Sequence, residues 1–341
     1  MVKYVIKRLI LAIITAFIVL SLTFILIKLN DFQMPLGTVQ EKYSYFMKQY
    51  AQGFVVWFPK ETTGYGKLLF SYDNKYFYQT PLFTQYFNWL KNILTKWEWG
   101  TSTYIQPNAG AIYIIASKLP VTISINIWST LISVPIGIAL GIWAALKKNK
   151  PTDNVISTLV MVLVSIPSFV LITFLLLIFC YQLHWLPSQW PNPEDPQKQR
   201  VLGYILPVFV LSLGSICGYC RFTRAELCEV MESEYLLLAR TKGLTKTQSI
   251  TRHALRNAMV PIVPSILAEV IGLLSGSMIL ESLYGIPGIG RLYITAISSQ
   301  DYNVLFVDMA LFEAIGLVAG IFLDLSYGFI DPRIRMGAKN K

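Results

Sequence analysis

The chain has 341 residues, of which 54% are hydrophobic and 14% charged, and it carries a net charge of +10. Soluble domains hold roughly 25% charged residues, so the apolar content exceeds what a soluble core needs and an integral membrane protein is expected. Such a positive excess in a soluble protein would point to nucleic acid. Here Lys and Arg gathered in loops on the cytoplasmic side account for it, and no nucleic-acid partner is expected.

Apolar runs of about 20 residues are long enough to cross the hydrocarbon as helices. Six such runs are read, at 9–27, 120–146, 155–181, 203–220, 262–283 and 304–328. The fourth is the least regular, because Pro207 and Gly214 interrupt it. The first follows Lys3, Lys7 and Arg8, as a signal peptide would, but its apolar core is too long for one. No small-x-small cleavage site stands at Lys28-Leu29-Asn30, so an uncleaved span over 1–27 is expected.

Segment 28–119 is too long for a turn. It is rich in Tyr, Trp, Phe, Lys and Asn, with Pro35, Gly37, Gly64, Gly66, Pro81 and Pro107 among them. A small lobe outside the membrane is expected there. Its aromatics suit a lobe core, interfacial anchoring or contact with a partner. With the N-terminus inside, the inner segments 1–8, 147–154, 221–260 and 331–341 hold 17 of the 29 Lys and Arg residues. The outer loops 182–202 and 284–303 hold only Lys198, Arg200 and Arg291. This asymmetry places both termini in the cytoplasm. The expected organisation is a first span (1–27), an extracytoplasmic lobe (28–119), a permease-like membrane domain (120–330) with an inner loop at 221–260, and a tail (331–341). The expected fold class is an all-α membrane protein of six spans.

The inner loop carries the most information. Residues 231–242 read as a short helix with Glu232 and Glu234 at its start, which suits the helix dipole. Gly243 stands where a left-handed cap is expected. Thr245 and Gln248 then form a capping-box pair opening a second helix from Lys246 to Met259. In the first helix Tyr235, Leu238 and Ala239 share one arc while Leu236 and Leu237 point elsewhere. A helix apolar nearly all round needs cover on more than one side: its own membrane domain on one, and a cytoplasmic partner or the lipid interface on the other. In the second helix Ile250, Ala254 and Ala258 form a stripe beside Leu255 and Met259. Arg252 and Arg256 share another face, where like charges at i,i+4 repel by about 0.2–0.5 kcal/mol. An acidic partner, anionic lipid or plain solvation would offset this. Pro261 is expected to interrupt the ladder where the fifth span begins.

Ala239-Arg240-Thr241-Lys242-Gly243-Leu244, followed by Arg252-His253-Ala254-Leu255-Arg256-Asn257-Ala258, resembles the cytoplasmic loop of binding-protein-dependent ABC importer permeases. The wording is closest to the B-type subunit of the oligopeptide/dipeptide branch, which also includes nickel permeases. Further matches follow in the family's order over most of the chain. Phe83-Thr-Gln-Tyr-Phe-Asn-Trp-Leu and Trp99-Gly-Thr-Ser look like the branch's outer segment. Leu119-Pro-Val-Thr and Gly137-Ile-Ala-Leu-Gly-Ile-Trp-Ala-Ala-Leu-Lys-Lys look like its second span. Glu281-Ser-Leu-Tyr-Gly-Ile-Pro-Gly-Ile-Gly-Arg-Leu resembles the loop after its fifth. The chain departs from the broad family at Leu238-Ala239-Arg240, where Glu-Ala-Ala is usual, and at His253, where an apolar residue is usual. The resemblance does not extend over residues 31–80.

The resemblance implies half of a translocation pore, paired with a second, homologous permease as a heterodimer. It implies two cytoplasmic P-loop ATPases, which bind ATP and Mg, and an extracytoplasmic substrate-binding protein. All of these would work in a prokaryotic cell membrane. The loop then acts as a coupling helix around Glu234, with Tyr235, Leu238 and Ala239 as docking contacts. Gly243 sets the angle between the short helices, and Arg240, Arg252 and Arg256 tune the electrostatics. The implied cargo is an oligopeptide, with nickel as the alternative; the lack of histidine in the spans weighs against nickel.

Other features are weaker. Gly285-Ile-Pro-Gly-Ile-Gly290 has the wrong spacing for a dinucleotide fingerprint and reads as a tight turn. No G-x-x-x-x-G-K-[ST] occurs, since Gly66-Lys67 is followed by Leu68, so no cofactor and no ATP are expected in this chain. Cys217-x-x-Cys220 lies in an apolar run, and with only His184 and His253 in the chain it reads as two small buried residues, not a metal site. Glu269, Glu281, Asp308, Glu313 and Asp324 lie in or near spans, where a charge costs about 2.5–3.5 kcal/mol at a helix centre. Glu269 and Glu313 lie deepest and are the candidates for a substrate pathway, against pairing within the helix bundle. No nucleophile, base and orienting group come together, so an enzyme is not expected. An ion-coupled carrier using Glu269 and Glu313, or a receptor without flux, are the alternatives of a different class.

Overall fold

A computed structural model describes residues 2–29, 34, 35, 37–62 and 64–330, with side chains over 6–326 apart from 63 and 246 among them. The tail expected at 331–341 lies outside the described residues. Among the described residues, five helices are long and apolar enough to cross a membrane: Ile6–Leu29, Ala111–Leu146, Gln197–Met231, Thr247–Gly272 and Tyr302–Ser326. The run expected at 155–181 is broken. Helix α5 (Pro151–Ser165) and the pair formed by α6 (Ser168–Leu175) and its π-helical continuation Leu176–Gln182 meet at 93°. Pro167 explains the break. A residue before proline is driven out of the α region, and Ile166 is extended at φ −88°, ψ 117°. Counted as one bent span, the pair gives six.

The chain divides into two compact units. Of the described residues, the first comprises 2–5, 119–291 and 315–330. Its central element is α7 (Gln197–Met231), which packs on α5, α6 and α10 (Leu255–Gly272). Helix α4 (Ala111–Leu146) enters this unit at Leu119 and also lies close against α7. A Cβ on Gly137 would stand 2.8 Å from the Ile216 carbonyl oxygen, and one on Gly141 only 2.6 Å from the Thr223 Cβ. Two glycines four apart therefore let the helix backbones meet, a common membrane solution where no hydrophobic drive exists between helices. Buried Ile125, Ile172, Leu206, Val210, Leu280 and Tyr284 fill one core cluster of this unit.

The fifth span differs from its expected bounds of 262–283. It starts near Thr247 and ends at Gly272. Pro261 and Pro264 lie inside α10 without ending it, as membrane helices allow when the freed backbone groups find other partners. After a turn closed by the Ser275 N–H donating to the Gly272 carbonyl at 2.8 Å, the short helix α11 (Met278–Tyr284) begins.

The second unit comprises Ile6–Lys118 and Leu292–Ala314. It contains α1 from Ile6 on (Val2–Leu29), α2 (Val39–Ala51), α3 (Leu82–Lys96) and the outset of α13 (Tyr302–Ile330). Thr38 and Glu41 cap α2 reciprocally. The chain is mostly helical, as expected, but this unit adds a sheet that the all-α expectation does not contain. Strands β1 (Val55–Phe58), β2 (Leu68–Tyr72) and β3 (Lys75–Gln79) form an antiparallel sheet in the order β1-β3-β2. Asp73 and Asn74, both at positive φ (50° and 56°), make the two-residue turn between β2 and β3, which suits the twist of a hairpin. Phe46, Val55, Leu69 and Phe77 are its buried core. Asp301 Oδ2 ties the loop after α3 to the start of α13. It accepts from Ser102 Oγ at 2.5 Å and from the N–H groups of Thr103, Tyr104 and Ile105 at 3.1, 2.9 and 3.0 Å.

Candidate coupling surface

Helix α7 ends at Met231, so residues 221–231 of the expected loop prolong the fourth span. Ser233 is extended (φ −72°, ψ 144°) and turns the chain into α8 (Glu234–Thr241). Eight residues are too few for a stable helix in isolation, so packing must hold α8. Leu236 supplies it. It is buried against Ala145, Leu227, Cys228, Ile250, Ala254 and Ala258. Tyr235, Leu237 and Leu238 are exposed on the other side, with Ala239 half-buried and Glu234 and Arg240 exposed. The helix is thus anchored by one leucine and presents an uncovered apolar face.

The turn after α8 follows the expected chemistry. Gly243 sits at φ +93°, where L side chains are strained, and its N–H donates to the Arg240 carbonyl at 3.0 Å. The capping box forms: the Thr245 N–H donates to Gln248 Oε1 at 3.1 Å, and the Gln248 N–H to Thr245 Oγ1 at 3.3 Å. Helix α9 (Lys246–Ser249) runs through a π-helical stretch, Ile250–Ala254, directly into α10. The stripe Ile250, Ala254 and Ala258 is buried, and Arg252 and Arg256 are exposed. The two arginines line an open groove of about 600 Å³ with His253, Asn257, Met259 and Val260. Arg240 Nε donates to Ser249 Oγ at 3.4 Å, which braces α8 against α9.

Residues 137–336 match the model of the family described as binding-protein-dependent transport system inner membrane component. The chain belongs to this family. It is 34% identical over 292 residues to the oligopeptide transport system permease protein OppB of Escherichia coli (strain K12), covering 86% of this chain and 92% of that protein. It is 31% identical over 337 residues to the dipeptide transport system permease protein DppB of Lactococcus lactis subsp. cremoris, covering 98% and 100%. Among solved structures, a crystal structure of an amino acid ABC transporter with histidines matches with a TM-score of 0.50 at 19% identity, over 63% of this chain and 94% of that one. That likeness concerns the fold alone.

The permease has two further polar clamps beside the α8 anchor that sequence inspection did not find. Buried Asp153 receives Arg224 in a bidentate pair, Nε to Oδ1 at 2.6 Å and NH2 to Oδ2 at 2.7 Å. The Asn149 N–H and Ser157 Oγ donate to the same carboxylate at 2.9 and 3.2 Å. Lys148 pairs with Glu232, and this bond holds the lysine above its ordinary pKa. Both clamps fasten the turn between α4 and α5 to the end of α7, next to α8. The sequence signal was faint: an acid in the first turn of a helix opened by Pro151, with its partner 71 residues away.

The proposed pathway carboxylates are placed as follows. Glu269 on α10 is half-buried and accepts from Thr130 Oγ1 at 3.3 Å. Glu313 is half-buried on α13. Glu281 is the more strongly held acid. It is buried on α11, outside the spans, and accepts from Thr122 Oγ1 at 3.1 Å and the Arg291 N–H at 3.0 Å. Burial pushes its pKa up, against the pull of these bonds. Thr122 Oγ1 in turn accepts from the Ile289 N–H at 3.0 Å. The Gly285–Gly290 turn is therefore fixed onto α4 by one carboxylate and one hydroxyl. Cys217 and Cys220 are buried thiols packed against Val160.

Proposed function

We propose that this chain is one membrane-spanning half of an ATP-driven importer of oligopeptides. The observation that carries the substrate class is likeness along almost the whole chain to permeases of oligopeptide and dipeptide transport systems, segment 28–119 included. The distribution of Lys and Arg supports both termini in the cytoplasm and segment 28–119 outside. The uncovered face of α8, with Tyr235, Leu237 and Leu238, suits a groove on a cytoplasmic P-loop ATPase. Two such ATPases would bind ATP and Mg, leaving this chain without a cofactor and without catalysis of its own. Glu234 and Ala239 flank the docking face, and Arg240, Arg252 and Arg256 supply positive charge around it. A second, homologous permease completes the pathway as a heterodimer. The apolar groove of about 730 Å³ lined by Trp128, Ile132, Ile136, Ile205 and Phe209 supports such a neighbour. A substrate-binding protein delivers cargo from outside, and Glu269 and Glu313 are the candidate acids for contact with it.

The test is peptide uptake by proteoliposomes holding the complete complex. Uptake should require ATP on the ATPase side and survive collapse of ion gradients. Uptake that ignores ATP and fails with the gradient would instead establish an ion-coupled carrier. Gly243→Leu forces a branched side chain into the left-handed region at a cost of about 1–2 kcal/mol, although nothing lies within 4 Å of its Cβ. It should insert and assemble normally while losing transport per ATP hydrolysed.

A further inference from the structure

Helix α3 has more apolar surface than its own unit covers. At 3.6 residues per turn, its side chains fall into three sectors. Gln85, Trp89 and Ile93 are buried on one face, and Leu82, Tyr86 and Leu90 flank them in a core cluster with Phe24 and Phe306. Thr84, Lys91 and Thr95 are exposed on a polar face. Between these lies a stripe, within about 40° of arc, formed by Phe83, Phe87 and Leu94, which are 75%, 64% and 76% exposed.

The position of α3 along α1 decides what covers that stripe. Tyr86 Oη and Ser21 Oγ are 2.8 Å apart, and the Phe24 ring stacks on Trp89 at 4.8 Å between centroids. Ser21 lies inside the apolar span Ile6–Leu29, eight residues from its end, which is about 12 Å along a helix. The span itself is 11% buried, and Leu22, Leu26 and Leu29 are exposed on it. The stripe on α3 therefore lies beside the last third of an apolar span whose surface is largely uncovered, a surface suited to hydrocarbon.

We propose that Phe83, Phe87 and Leu94 are immersed in the acyl chains of the outer leaflet, which makes α3 an interfacial anchor of the lobe. Interfacial helices bury their apolar face about 5–10 Å below the headgroups. Thr84 and Thr95 then face the headgroups and water, and Lys91 reaches the same level by extending its stem along the helix. The anchor fixes the lobe to the bilayer beside α1 and leaves the polar face of α3 outward.

The experiment uses the full chain with its partner subunits in lipid nanodiscs. A nitroxide is attached at Phe87→Cys, Leu94→Cys, Thr84→Cys and Thr95→Cys, each in turn. The native Cys180, Cys217, Cys220 and Cys228 are buried, and unmutated protein taken through the same labelling gives the background. Collisions with oxygen, which concentrates in hydrocarbon, are compared with collisions with a water-soluble nickel chelate. The logarithm of the oxygen-to-nickel ratio should be positive at 87 and 94 and negative at 84 and 95. A negative value at 87 and 94 would place the stripe in water. Exclusion of both reagents there would place it under another protein chain. Either result overturns the proposal. Positions 87 and 94 report on the same stripe and contribute nothing to the buried core, so one labelled variant suffices if the other does not fold.

Discussion

Leu236 and Leu238 lie two residues apart on α8, and their truncation should fail for different reasons. Leu236 is 1% exposed and is the buried anchor of the helix, whereas Leu238 is 57% exposed. Truncating a fully buried leucine costs about 2–5 kcal/mol. An eight-residue helix has little stability of its own to set against that. At about 1.4 kcal/mol per tenfold, Leu236→Ala lowers the ratio of packed to detached α8 between about thirtyfold and several thousandfold. Leu238→Ala removes no buried contact and should leave that ratio nearly unchanged. Hydrogen exchange in the permease without its ATPases reads the difference directly. The amides of Leu236, Lys242 and Leu244, which donate to Ser233, Leu238 and Ala239 at 3.1, 3.2 and 3.4 Å, should exchange faster in the Leu236 variant alone. In the assembled transporter the proposed docking of α8 implies that both variants transport poorly: Leu236→Ala because α8 would no longer move with its membrane domain, Leu238→Ala because it would lose a contact on the docking face. Unchanged exchange in Leu236→Ala, or faster exchange in Leu238→Ala, would refute the assignment of inner and outer faces.

Two further outcomes follow from contacts within the membrane domain. Gly141→Leu brings a side chain to where even a Cβ stands 2.7 Å from the Cys220 carbonyl oxygen, so α4 and α7 must separate; thermal unfolding should begin at a clearly lower temperature, while Gly214→Leu, with nothing within 4 Å of its Cβ, should shift it far less. Glu281 has its pKa raised by burial above the ordinary 4.5, so its contribution to stability is fully present below about pH 4.5 and is lost as pH rises through the raised value. Glu281→Gln should remove that slope from the pH dependence of unfolding, and it should destabilise as well, because the amide NH2 cannot accept as the second carboxylate oxygen does.

The loop was legible where local chemistry decides the backbone. A glycine after Lys242 and a Thr-x-x-Gln pair fix a left-handed turn and a helix start within seven residues, and Gly243, Thr245 and Gln248 take those roles. The stripe Ile250, Ala254 and Ala258 repeats every four residues, and all three are buried. The inward side of α8 was not legible. Tyr235, Leu236, Leu237 and Leu238 run apolar around a full turn, so periodicity singles out no face, and the tertiary cluster around Ala145 and Ala254 selects Leu236. The sheet at 55–79 was hidden because strands of four or five residues hold too few alternations to stand out among aromatics. The break in the third span had a signal, the Ile-Pro step at 166–167. A continuous apolar composition on both sides masked it.

The clamps around α8 bear on how a push would travel. Coupling needs an element that moves as one piece, and α8 alone is too short to be one. Leu236 joins it to Leu227 and Cys228 on α7, to Ala145 on α4 and to Ala254 and Ala258 at the head of the fifth span. Asp153 with Arg224, and Lys148 with Glu232, lock the α4–α5 turn to the same end of α7. Gly137 and Gly141 bring the α4 and α7 backbones into contact along the next two turns. Removing Arg224 would leave the buried Asp153 carboxylate uncompensated, at a cost of about 3–5 kcal/mol, whereas the exposed Lys148–Glu232 pair adds little; close-packed helices shift between discrete arrangements more readily than they deform. A force applied to the exposed face of α8 would therefore be felt by α4, α5, α7 and α10 together. The Asp153 carboxylate, which binds two elements at once with four hydrogen bonds, is the joint whose loss would let α5 lag behind the rest.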